Sequence, residues 1–104
     1  MSYDFQIDNN IDENSQYSLE VEIHSSIFKF IRGNNLSLPF VNRFSDYYSD
    51  SKFSEEELSS LVGEIESLES HFASSASALT ALKEIKKLAC QAFAKDGVLR
   101  GYCD

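Results

Sequence analysis

Apolar and polar residues alternate over Tyr3-Asp4-Phe5-Gln6-Ile7, the pattern of a short strand with one buried face. Asp8 to Gln16 is rich in Asn, Asp and Ser, residues that bond their own backbone in turns. Tyr17, Leu19, Val21 and Ile23 alternate with polar neighbours, while Leu19, Ile23, Ile27, Phe30 and Ile31 also fit a helix. The two periods are reconciled by a strand through Ile23 and a short helix from Ser26, with Ser25 as N-cap and Gly33 as a left-handed terminator. Pro39 suits the first turn of a second helix. Phe40, Val41, Phe44 and Tyr48 give that helix one apolar face, so Tyr48 is expected in the core and Tyr47 outside it. Ser49 to Lys52 then reads as a connecting turn.

The clearest helix follows. Ser54-Glu55-Glu56-Glu57 is a capping box, and Phe53 with Leu58 forms a hydrophobic staple across it. Leu58, Leu61, Val62, Ile65, Leu68 and Phe72 recur at steps of three and four. After a serine-rich break, a second long helix runs from Ser77 to Ala94. Its inner stripe is Leu79, Leu82, Ile85, Ala89, Ala92 and Phe93, and it stops at Asp96-Gly97. Val98 to Cys103 is a last strand or an ordered tail. The expected fold is α+β and mainly helical, one domain over residues 1–104. Two long antiparallel helices and shorter ones join a small antiparallel sheet from residues 3–7 and 17–23, with 98–103 as the candidate third strand.

Charge sharpens this picture. The formal net charge is −8, which opposes binding to nucleic acid or to anionic membranes and favours a basic partner. Eight carboxylates crowd between Asp46 and Glu69 (Asp46, Asp50, Glu55, Glu56, Glu57, Glu64, Glu66, Glu69), with Lys52 as the one base among them. Residues 83–100 are instead basic, with Lys83, Lys86, Lys87, Lys95 and Arg100. The sequence opens without a basic-then-apolar leader, and no apolar run approaches the roughly 18 residues of a membrane span. Cys90 and Cys103 lack metal-ligand or redox spacing, so a reducing compartment is the default and a cytoplasmic protein is expected.

Catalytic chemistry has little to stand on. His24 and His71 lie far apart with no Cys or His beside them, too few for a metal site, and each suits a capping or surface role. Seventeen serines occur without a nucleophile elbow. Cys90 reads as a small core residue. The glutamates at 55–57 are explained by the helix start. No catalytic residue, cofactor or metal is therefore expected. Asp46-Tyr47-Tyr48-Ser49-Asp50 differs, because tyrosine beside carboxylate is the composition of a contact surface for a basic protein. The expected partner-binding residues are Asp46, Tyr47, Asp50, Glu55, Glu56, Glu66 and Glu69.

The run Leu38-Pro39-Phe40-Val41-Asn42-Arg43-Phe44-Ser45-Asp46-Tyr47-Tyr48, the Glu64-Ile65-Glu66 helix and the terminal Gly101-Tyr102-Cys103-Asp104 carry a resemblance. Over residues 3–104 the chain resembles small bacterial immunity proteins of polymorphic toxin systems, including contact-dependent growth inhibition. That resemblance implies a cytoplasmic protein, monomeric when free, which binds and blocks the C-terminal toxin domain delivered by a neighbouring cell. Such toxins are often nucleases, and an acidic inhibitor can take the place of nucleic acid in their basic cleft. Immunity families diverge at the toxin-binding surface, so the shared motif hands over no contact residue. It leaves Asn42, Arg43 and Asp46 open to structural roles, such as an Arg43–carboxylate pair at the helix junction. An acidic adaptor for an unrelated basic partner is the other reading.

Overall fold

The computed structural model describes residues 2–7, 16–95 and 97–103. Its elements, in chain order, are β1 (Ser2–Ile7), β2 (Gln16–Glu20), α1 (Val21–Gly33), a 3₁₀ turn (Val41–Phe44), β3 (Ser51–Phe53), α2 (Glu55–Glu69), a second 3₁₀ turn (Ser70–Phe72), α3 (Ala76–Ala94) and β4 (Leu99–Cys103). The fold is α+β: among the described residues, three helices and an antiparallel sheet of order β2-β1-β4-β3 share one core. The turn expected over Asp8–Gln16 lies, apart from Gln16 itself, outside the described residues, as does Asp96.

Strand alternation sets which side of the sheet is buried. Tyr3, Phe5 and Ile7 of β1 point inward with Leu19, Leu99 and Phe53, while Asp4, Gln6 and Ser18 take the other side. Register aligns Phe5 with Tyr17 and Gly101, and Ile7 with Leu99. Gly101 answers a steric need. A Cβ there would stand 2.5 Å from Tyr3 Cε1 and 2.5 Å from Ser51 Oγ, so the Tyr3 ring can lie across β4 only where no side chain rises.

α1 begins at Val21, earlier than Ser26, because Ile23, Ile27 and Ile31 together with His24 and Phe28 are spaced by four and bury one stripe against the sheet. Its N-cap is Glu20, without a side-chain bond, and Ser25 is an exposed interior residue. Asn35 ends it in place of Gly33. Asn35 has φ 52°, the Leu36 N–H donates to the Ile31 carbonyl at 3.1 Å, and the Asn35 N–H donates to the Arg32 carbonyl at 3.3 Å. This is a Schellman closure, with asparagine taking the left-handed position.

α2 and α3 form the helical hairpin. Ser54 N–H and its hydroxyl donate to Glu57 Oε1 at 3.0 and 2.9 Å, the expected capping box. Leu58, Leu61, Ile65 and Leu68 bury the inner face of α2, with Val62 half-buried. On α3 the buried set is Ala78, Ala81, Leu82, Ile85, Leu88, Ala89 and Ala92. The small residues here let α3 approach its neighbours closely, which hydropathy spacing alone underrates. Leu79 is only half-buried and Phe93 is 51% exposed, so both leave the expected inner stripe. Cys90 is likewise exposed rather than in the core, and both cysteines are free thiols. Among the described residues no helix is long and apolar enough to cross a membrane.

Candidate partner-binding surface

The surface singled out by the sequence is built on residues 38–50, where the expected helix does not form. Only Val41–Phe44 winds, and it winds as 3₁₀. Asn, Asp and Ser in this stretch compete for backbone bonds: Asp46 Oδ1 accepts the Tyr48 N–H at 3.0 Å. The tighter period changes which tyrosine is inside. Val41 and Phe44, three apart on the 3₁₀ turn, are 0% and 1% exposed, and Tyr47, three further on in the bend that follows, is 7% exposed. Tyr48, which an α-helix would have aligned with Phe44, is 71% exposed. The expected exposures of the two tyrosines are thus reversed.

Carboxylates hold this irregular backbone in place. Glu64 of α2 accepts the Phe40 and Val41 N–H groups at 3.0 and 2.9 Å, capping the 3₁₀ turn from across the fold. Arg43 forms an ion pair with Glu57, donates to the Lys52 carbonyl at 3.2 Å, and lies over the Phe40 ring at 4.8 Å. The Arg43 hydrogen bond, and after it the Ser54 N–H, holds the Glu57 carboxyl at about 2, below the usual carboxylate range. Asp50 accepts the Cys103 N–H at 3.0 Å, which keeps its carboxyl below the ordinary value and ties the loop to β4. The Tyr3 hydroxyl donates to the Ser49 carbonyl at 2.8 Å and lies 2.8 Å from Ser51 Oγ. Burial pushes that phenol up to about 12.

Behind the loop sits an aromatic wall. Tyr47 meets His24 edge-on at 4.9 Å and Tyr48 edge-on at 5.8 Å between ring centres. His24 is 5% exposed, and its Nε2 bonds the Phe44 carbonyl at 2.7 Å. A carbonyl only accepts, so Nε2 carries the hydrogen. Burial lowers the His24 pKa, keeping the ring neutral. Its role is structural: it fixes the end of the 3₁₀ turn to α1. Between α1 and the loop opens a cleft of about 320 Å³, rimmed by Val21, Arg32, Asp46 and Tyr48, with Phe28 and Tyr47 in its wall. Val21 and Tyr48 are two of the large apolar side chains left exposed, and they share this one cleft.

No family model, curated protein or solved structure matches the chain.

The expected acidic surface is accordingly not one surface. Asp50 is bonded to β4, Glu57 and Glu64 brace the 3₁₀ turn, and Glu69 pairs with Lys86 at 2.8 Å. Glu55, Glu56 and Glu66 are exposed, but they sit at the two ends of α2, roughly 15 Å apart along its axis. Of the expected set, Asp46 and Tyr47 belong to the cleft, Tyr47 as its wall. Tyr48, Val21 and Arg32 were not anticipated. His24 and Phe28 at a four-residue step were the available signal that α1 would supply one side of it. His71 is exposed and packs beside the Phe30 ring at 5.3 Å. Among the described residues no group of three or more His, Cys, Asp or Glu could hold a metal ion.

Proposed function

We propose that this is an immunity-type binding protein, acting by contact and not by catalysis, which neutralises a cognate toxin domain by covering its basic cleft. Tyr48 carries the reading. It is 71% exposed beside the Asp46 carboxylate, with the buried Tyr47 ring fixed behind it. A rigidly backed tyrosine next to an acid is the usual anatomy of a binding hot spot, offering apolar area and a charge for Arg or Lys. The net charge of −8 supports a basic partner, and complementary fields hasten capture of a toxin that must be stopped quickly. The resemblance of the Leu38–Asp50 run to toxin-immunity proteins supplies the toxin class, with nucleases foremost because their phosphate-binding clefts are basic. The reading places the encounter in the cytoplasm.

Capture of the C-terminal domain encoded directly upstream, at low and moderate salt, tests it. Wild-type protein is expected to retain that domain in a salt-sensitive manner. Tyr48→Ala and Asp46→Lys are expected to weaken retention by about thirtyfold or more, the scale of a hot-spot residue. Unchanged affinity in both variants would move the contact surface to Glu55, Glu56 and Glu66 or elsewhere. A basic partner found only among proteins unlinked to any toxin gene would favour the adaptor reading.

A further inference from the structure

A second apolar surface lies on the exposed side of the helical hairpin and shares no residue with the Tyr48 cleft. Leu58, Ser59 and Val62 of α2 and Cys90 and Phe93 of α3 line a groove of about 220 Å³. Phe93 stands at its edge, 51% exposed. The rims of the groove are charged with opposite sign. Along α2, Glu55, Val62 and Glu66 follow one another at helical steps on the groove side; along α3, Lys83, Lys87 and Cys90 do the same. The Glu69–Lys86 ion pair at 2.8 Å shows that the acids of the second half of α2 lie level with the bases in the middle of α3.

We propose that this groove is the seam of a two-fold dimer, in which α2 of one copy lies on α3 of the other. A two-fold axis running along the groove exchanges the two rims and keeps their levels. Glu66 of one copy then faces Lys83 and Lys87 of the second copy, and Glu55 and Glu56 approach its Lys95. Both Phe93 rings and both Val62 side chains are covered in the same step. A segment of uniform charge would meet its own sign on one rim, whereas a second copy presents the complementary sign to each. Two adjacent helices offer a face about 22 Å long and about 20 Å wide, about 440 Å² per copy, which is the size of a weak, transient contact, so association no tighter than the micromolar range is expected.

Sedimentation of the full chain over a wide concentration range tests this directly. Wild type is expected to pass from monomer to dimer with rising concentration. Glu66→Lys and Lys87→Glu, each folded by circular dichroism, are expected to remain monomeric alone, because each homodimer would hold like-charge contacts on both rims. Their equimolar mixture is expected to regain dimerisation in part, since both contacts between positions 66 and 87 in the mixed pair are again of opposite sign while Lys83 is unchanged. Phe93→Ser is expected to weaken the dimer at least tenfold. A wild-type chain that stays monomeric at all concentrations would overturn the proposal and leave the groove to a different protein. Persistent dimers of either charge variant, or a mixture that stays monomeric, would equally overturn this face-to-face arrangement.

Discussion

Glu64 grips the backbone at Val41. One carboxylate oxygen on α2 accepts the Val41 N–H at 2.9 Å and the Phe40 N–H at 3.0 Å. Charge-assisted bonds of this kind contribute about 1.5–3 kcal/mol each, and here they replace the N-terminal cap that the Pro39–Val41 sequence lacks. Glu64→Ala is expected to cost about 2–3 kcal/mol in urea denaturation, with Glu64→Gln losing part of that. Glu66→Ala, on the exposed side of the same helix, is expected to stay within about 0.5 kcal/mol. Equal stability of the Glu64 and Glu66 variants would remove the cap from the account of this loop.

The two adjacent tyrosines are expected to separate folding from binding. Tyr47→Ala removes a ring that is 7% exposed and packed on His24, and a loss of about 3–5 kcal/mol is expected by chemical denaturation. Tyr48→Ala is expected to melt like wild type while losing partner affinity. The opposite outcome would restore the α-helical register.

Gly101→Ala is expected to destabilise by about 1–3 kcal/mol, the usual cost of overpacking. The added carbon would press on Tyr3 Cε1 and Ser51 Oγ, both 2.5 Å away. Ser51→Gly removes one of the two obstacles, so it is expected to recover part of the loss in a double-mutant cycle, while an exposed control such as Ser60→Gly recovers none. Wild-type thermal stability of Gly101→Ala would mean that Tyr3 does not lie across β4.

Core truncation follows the usual rule. Leu61 and Leu82 are both fully buried, and replacing either by alanine is expected to cost about 2–5 kcal/mol in denaturant titrations. Melting like wild type for both would contradict the packing of α2 on α3.

Stability should form a plateau in pH with two shoulders. The Glu57 carboxyl, held at about 2 by Arg43, favours the folded state above its unfolded value of about 4.3. That contribution is lost as pH falls from there toward 2. His24, lowered by burial, adds a loss that starts below its unfolded value of about 6.5. Tyr3, raised to about 12 by burial, favours folding fully below about 10, and its contribution disappears as pH climbs from 10 to 12. Thermal melts across pH should therefore be highest between about 6.5 and 10. In Tyr3→Phe the alkaline shoulder is expected to flatten, and a shoulder of unchanged depth would assign it to another group.

Where apolar spacing was long and regular, the sequence was easily read. α2 with its capping box, most of α3 and β1 follow from periodicity and one cap. The misreadings share a cause, which is that short elements are decided by partners far away in the chain. β3 is three residues long and exists because β4 pairs with it. The 3₁₀ turn exists because Glu64, twenty-odd residues later, bonds its first N–H groups, and that turn, with the Asp46 bond to the Tyr48 N–H after it, decides which of two neighbouring tyrosines faces water. The acidic stretch misled for the same reason. Composition shows eight carboxylates in a row of residues, but not that Asp50, Glu57, Glu64 and Glu69 are occupied in holding the fold. The cleft joins α1 to the Tyr48 loop, a proximity that no local pattern encodes.

β4 enters the sheet between β1 and β3, so Tyr3 waits for Cys103 and Phe5 for Gly101. On a ribosome adding roughly 5–20 residues per second, that wait lasts on the order of 5–20 seconds. The α2–α3 hairpin, whose contacts are local, can assemble in the meantime. The β1–β2 ribbon cannot finish; its apolar side and one open edge stay exposed to other chains for the whole interval. Nascent copies crowded on one message are therefore at greater risk of mispairing before β4 emerges, and β4 acts as the lock on a sheet whose β1 strand lies far earlier in the chain.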